Sequence, residues 1–212
     1  MPIVPSPASG PVTPAPPWTT TRWFNSDPLE LADLRGRVVV LEAFQMLCPG
    51  CVAHGLPQAV RLTQTFGDDL AVIGLHSVFE HHAAMTPTSL EAFLHEYRIR
   101  FPVAVDAHRG EDPTPVTFAR YRMRGTPSLV LIDRDGNVRG HQLGAVDDMT
   151  VAAAVARLLD AGPAAGHAPA AADPRRGGVP VGRNPLYDGE SCSDRGRGGA
   201  DVWSLPAIRG RR

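Results

Sequence analysis

A chain of 212 residues can bury a core of ordinary size, but its 21 glycines and 21 prolines crowd toward the ends, which points to one folded domain of about 140 residues with tails. A formal net charge of −1 argues against a general nucleic-acid binder, and because all 21 basic residues are arginine, lysine Schiff-base chemistry is excluded. No apolar run reaches the roughly 18 residues of a membrane span, so no membrane partner is expected.

Prolines at 2, 5, 7, 11, 14, 16 and 17 forbid a regular helix, so residues 1–20 read as a flexible, solvated arm. This arm has neither the basic start nor the apolar stretch of a secretory signal, so the expected compartment is the cytoplasm; a start site placed too late would make it extracytoplasmic. A domain is expected over 21–162, with Trp23 and Phe24 anchoring its entry and residues 33–37 forming a turn into the first central strand.

The run Val38-Val39-Val40-Leu41 reads as a buried strand, and Val52, Leu56, Val60 and Phe66 recur close to helical spacing. Between them stands Leu47-Cys48-Pro49-Gly50-Cys51, which places Cys48 where a strand meets a helix. Free N–H groups and the positive dipole end of a helix favour negative charge, and thiolate is the reactive form of cysteine, so Cys48 is the candidate nucleophile. Cys51, one turn on, can close a disulfide with Cys48 or resolve a mixed one, so the pair can pass two electrons. In a reducing compartment such a pair points to catalysis or metal binding before a structural disulfide.

Leu70 to Leu75 reads as a second buried strand, followed by a polar, irregular segment from His76 to Met85. Thr88 with Glu91 forms a capping-box pattern for a helix carrying Leu90, Phe93, Leu94 and Tyr97 on one face. Phe101 to Val105 reads as a strand, Thr114 to Met123 as a short helix, and Ser128 to Asp133 as a strand turning through Asp135-Gly136 toward Val138. Asp147 and Asp148 open a last helix with Val151, Val155, Leu158 and Leu159 inward. Strands alternating with helices and closed by a hairpin imply an α/β fold with a mixed sheet covered on both faces. From 163 to 212 the chain is Ala, Gly, Pro and Arg with few large apolar residues, a low-complexity tail expected to be disordered, in which Cys192 reads as an incidental thiol.

The Cys-Pro-Gly-Cys motif, Glu42 six residues before it and the Gly125-Thr126-Pro127-Ser128 loop ahead of a strand together resemble the thioredoxin superfamily, and within it the TlpA-like and redoxin (AhpC/TSA-related) branch. The resemblance spans roughly residues 35 to 160. It implies a thioredoxin-like fold with an α/β insertion before a cis-proline loop, and a thiol–disulfide oxidoreductase that needs no cofactor or metal. Cys48 and Cys51 would be the catalytic pair, with Glu42 accepting the Cys51 proton. Thr126 and Pro127, with Pro49 and Gly50, would bind substrate. Its partners would be a disulfide-containing protein or small molecule and an upstream thiol reductant. Relatives place a proline five residues after the second cysteine; Pro57 stands six after, which implies a bulge or a loosened first turn.

Two alternatives accompany this reading. A peroxiredoxin-type peroxidase carries threonine or serine three residues before its cysteine, where this chain has Gln45. A Cu(I) binder would use Met46, Cys48, Cys51 and His54, four possible ligands in nine residues. His54 by itself reads as a surface residue, and His76, His81 and His82 are too loosely spaced to read as ligands.

Overall fold

Two seven-residue strands in which every residue is buried, β2 (Val38–Phe44) and β3 (Leu70–His76), run parallel at the centre of the sheet. Such continuous apolar, β-branched runs are what a strand needs when both faces are covered. This architecture comes from a computed structural model that describes residues 13–161.

The remaining strands are β1 (Thr20–Phe24), β4 (Val103–Asp106), β5 (Ser128–Ile132) and β6 (Val138–Leu143), in the sheet order β1-β4-β3-β2-β5-β6. β4 lies parallel to β3, while β1, β5 and β6 pair antiparallel with their neighbours. Four helices accompany them: α1 (Leu56–Phe66), α2 (Pro87–Glu96), α3 (Val116–Arg120) and α4 (Asp148–Asp160). Alternation along β2 sends Val38, Val40 and Phe44 into a core shared with α1, α2 and α4, and Val39, Leu41 and Ala43 into a second core with Phe118 of α3, Leu31 and Leu34. Each fully buried aliphatic side chain contributes roughly 1.5–3 kcal/mol, so this doubly covered centre is the rigid base on which the end of β2 is held.

Several expectations shift. The proline-rich arm docks from residue 13 onward: Pro14 bridges Asn137, the Ala15 N–H donates to the Gly136 carbonyl at 2.9 Å, and the Tyr121 hydroxyl donates to the Pro16 carbonyl at 2.8 Å. Carbonyls of the arm accept in turn, that of Thr13 from the Val138 N–H and that of Pro17 from the Arg120 guanidinium, each at 2.9 Å. Residues 1–12 of the arm and the expected tail from 163, with Cys192, lie outside the described residues. Trp23 and Phe24, expected to anchor the entry, lie on the edge strand β1, with Phe24 in one core and Trp23 packed against the other.

The helix expected to be capped at Thr88 begins earlier, with Pro87 in its first turn and the Thr86 side chain accepting from the Ser89 N–H at 3.2 Å. Proline at the first helical position is preorganised for that place, so the cap falls on the residue before it. His76, expected to open a polar segment, is the last residue of β3 and is buried against the Phe44 ring. The tip of the β5–β6 hairpin follows the Asp-Gly signal, with Gly136 at φ 75°. Asp147 caps α4 by accepting from the Thr150 N–H at 3.1 Å.

Candidate functional site

β2 ends at Phe44, and the next four residues turn the chain so that the Cys48 N–H donates to the Gln45 carbonyl at 3.1 Å. The helix that follows opens at residues 49 and 50, with the Val52 N–H donating to the Cys48 carbonyl at 3.1 Å, and passes at once into a π-helical turn, Cys51–Gly55, in which the Leu56 N–H reaches back five residues to the Cys51 carbonyl. Such a turn absorbs one extra residue into a helix, and Pro57, which has no N–H to donate, sits just beyond it in the first turn of α1. The displaced proline therefore produces the bulge that the spacing implied. Beyond the turn, α1 buries Leu56, Gln58, Ala59 and Leu62, and Val60 and Phe66 pack partly covered against the same core.

Cys48 is half-buried and Cys51 fully buried, and both are free thiols. The Cys51 N–H donates to the Cys48 Sγ at 3.3 Å, and the Cys48 thiol lies 3.4 Å from the Thr126 carbonyl. The Thr126–Pro127 peptide is cis. Gly50 closes the other side: a Cβ there would stand 3.2 Å from Pro127 Cδ and 4.0 Å from the Cys48 sulfur. Burial, with the Cys48 thiol beside it, pushes the Cys51 thiol up to about 12.

Glu42 lies on β2, opposite Gly74 of β3 and Leu129 of β5. Burial pushes its carboxyl up to about 8, and Oε1 has no hydrogen-bond partner. A carboxyl in apolar surroundings is held in its neutral form because charging it would forfeit hydration. The space beside it is set by Gly55, where a Cβ would overlap the Glu42 carboxylate and stand 2.9 Å from Pro127 Cβ.

Cys48, Cys51, Gly50, Thr126 and Pro127 thus converge at one end of the sheet, and Glu42 meets Pro127 beneath the helix across Gly55. Pro49 is exposed beside them. The alternative ligand set does not converge: Met46 packs into the core while His54 is exposed on the π turn. Among the described residues, no three His, Cys, Asp or Glu side chains are grouped to hold a metal. Two residues that sequence reasoning left unassigned join the site. One is Gly55, whose only local sign was a glycine inside a helical run. The other is Leu143, an exposed side chain on β6 whose Cδ1 would stand 3.3 Å from a Cβ at Gly125 in the proline loop.

A mixed sheet with a dithiol at a strand-to-helix junction and a cis-proline loop against its first sulfur defines the thioredoxin fold. Solved structures agree: a thioredoxin-like superfamily protein is 56% identical, with TM-score 0.69 over 71% of this chain and 99% of that one. A thiol-disulfide isomerase from Corynebacterium glutamicum is 49% identical, with TM-score 0.66 over 68% of this chain and 96% of its own. The AhpC/TSA family model matches residues 12–141, and the chain belongs to that family, in the redoxin and TlpA-like branch of the thioredoxin superfamily. Protein DipZ of Mycobacterium tuberculosis and of Mycobacterium bovis is 32% identical over 144 residues, 66% of this chain; the chain spans only 20% of the length of these curated relatives. Among the described residues no helix is long and apolar enough to cross a membrane.

Proposed function

We propose that this chain is a thiol–disulfide oxidoreductase whose working pair is Cys48 and Cys51. The observation that carries the reading is the half-buried Cys48 sulfur, held between the Cys51 N–H at 3.3 Å and the Thr126 carbonyl, with a buried second thiol one turn behind it. The Cys48 thiolate attacks one sulfur of a substrate disulfide, forming a mixed disulfide and releasing the other sulfur as a thiolate that takes up a proton. Cys51 then loses its proton to the Glu42 carboxylate and attacks the Cys48 sulfur. The second substrate thiolate leaves, the Cys48–Cys51 disulfide forms, and two electrons have passed to the substrate. An upstream thiol reductant restores the dithiol. In a reducing compartment such a pair rests as the dithiol and works in this direction.

Thr126 and Pro127 present the edge against which the substrate chain lies, and Pro49 and Gly50 form its opposite lip. The thiol-disulfide isomerase among the similar structures supports the same chemistry. The peroxidase alternative is less well supported: the Gln45 side chain is committed elsewhere, accepting from the Phe79 N–H at 3.2 Å and donating to Glu80 at 3.3 Å, rather than facing the Cys48 sulfur. The test is a Cys51→Ser variant exposed to extracts under mild oxidation. It should retain disulfide-containing proteins on Cys48, released by dithiothreitol. Absence of such adducts, together with no reduction of insulin by the native chain, would overturn the reading.

A further inference from the structure

Gly55 is an anomaly in its own element. Its backbone is helical, at φ −59° and ψ −55°, so no special conformation calls for glycine there, and glycine inside a helix is destabilising relative to alanine. What the position demands is space. A side chain would overlap the Glu42 carboxylate and press on Pro127 at 2.9 Å. The π turn contributes to the same end: by reaching back five residues it leaves both Gly55 and Leu56 buried, so that bare backbone faces the carboxyl. Glu42 Oε1, on the strand beneath, is buried with no hydrogen-bond partner and is aimed at that gap.

We propose that Gly55, set inward by the π turn, is a positioning residue that admits the Glu42 carboxyl beneath the helix and keeps it in reach of the Cys51 proton. The inference rests on the dithiol reading above and adds the element that makes Glu42 usable. In a helix without the extra residue, the side chain facing inward at this level could be an ordinary one. Here the space between the helix, Glu42 and Pro127 has no volume for even a methyl group, and any side chain would displace the carboxyl or the proline loop.

The test uses reduced full-length protein and an aromatic disulfide whose thiolate halves absorb visible light. The first half is released by Cys48 attack and the second by Cys51 resolution, and Cys192→Ser in every protein compared removes the release a third thiol would add, so one trace separates the steps. Gly55→Ala should lower the ratio of second to first rate on the order of 10- to 100-fold, the range set by displacing or losing a positioned acid–base group. Glu42→Gln should do the same, and the double variant should be no slower than either. Shortening the acid, Glu42→Asp, in the Gly55→Ala background should restore part of the ratio, which a purely structural defect would not do. An unchanged ratio in Gly55→Ala, or losses that multiply in the double variant, would overturn the proposal. If Gly55→Ala fails to fold, Glu42→Ala should rescue folding in the double variant; no rescue would place the collision on Pro127 alone and overturn it equally. Absence of a second release from the native protein would instead defeat the dithiol reading.

Discussion

The main-chain N–H of Cys51 donates to the sulfur of Cys48 across 3.3 Å, so the residue that follows the first thiol by one turn holds it through the backbone while keeping its own side chain buried. The two thiols are therefore unequal in access, and burial pushes the Cys51 group up to about 12. Iodoacetamide at pH 8 should modify Cys48 first, and Cys51 only after unfolding, because alkylation needs an accessible thiolate. Peptide mapping over time checks this. Comparable early labelling of Cys48 and Cys51, or of Cys48 and Cys192, would contradict it.

Glu42 should leave a mark on the pH profile of resolution. A carboxyl titrating near 8 accepts a proton only when ionised, so the Cys51 step should accelerate as pH rises through about 8, beyond the increase seen for attack by Cys48. Glu42→Gln should remove that limb and leave the first release unchanged. Stopped-flow traces between pH 6 and 10 would check it; a limb that persists in the variant would assign it to another group.

Stability should carry two opposed titrations. Between about 4.5, the ordinary value, and about 8, the native chain keeps a proton on Glu42 that the unfolded chain has lost, so stability declines as pH climbs through that window. His76 is held neutral by burial, with its value down to about 4 from 6.5 and neither ring nitrogen partnered, so its contribution is lost as pH falls from 6.5 to 4. The two oppose one another below 6.5, and Glu42 acts alone from 6.5 to 8. Urea midpoints should fall over that upper interval in the native protein and stay flat in Glu42→Gln, with a difference of a few kcal/mol at pH 8. His76→Leu should make the acid limb shallower and leave the part that His141, held below its ordinary value by burial and by Arg124, contributes.

Asp106 ends β4 and caps α3, accepting from the Thr117 and Phe118 N–H groups at 2.9 Å each and from the Ser77 hydroxyl at 3.1 Å. Asp106→Ala should cost about 2–4 kcal/mol, since it strands buried donors. Asp106→Asn should cost less, because an amide oxygen still accepts. Denaturant unfolding of the two variants checks the order, and equal losses would mean that the carboxylate charge, not the acceptor geometry, carries the effect.

Residue chemistry read along the chain was enough to locate the buried runs of β2, β3 and β5, the Asp-Gly hairpin, the cap of α4 and the thiol pair at a strand-to-helix junction. Each of these is signalled by neighbours in sequence: apolar runs for strands buried on both faces, a turn dipeptide for a hairpin, an aspartate before a helical pattern. Thr86 and Thr88 mark the limit of such reading, since both precede plausible helical positions and only Pro87 decides between them.

Tertiary structure alone decided what depends on partners far along the chain. β1 is a strand because β4 offers it an edge, and residues 13–17 dock because Gly136 accepts from Ala15 while Val138, Arg120 and Tyr121 donate to the arm's carbonyls. The π turn at Cys51–Gly55 has no signature in the apolar periodicity, because it adds one residue to a turn without changing composition. Gly55 has no local signature beyond being glycine. The role proposed for it is a matter of volume between the Glu42 carboxylate on β2 and Pro127, which are far apart along the chain, and a sequence records which residues are present but not how closely a fold brings them together.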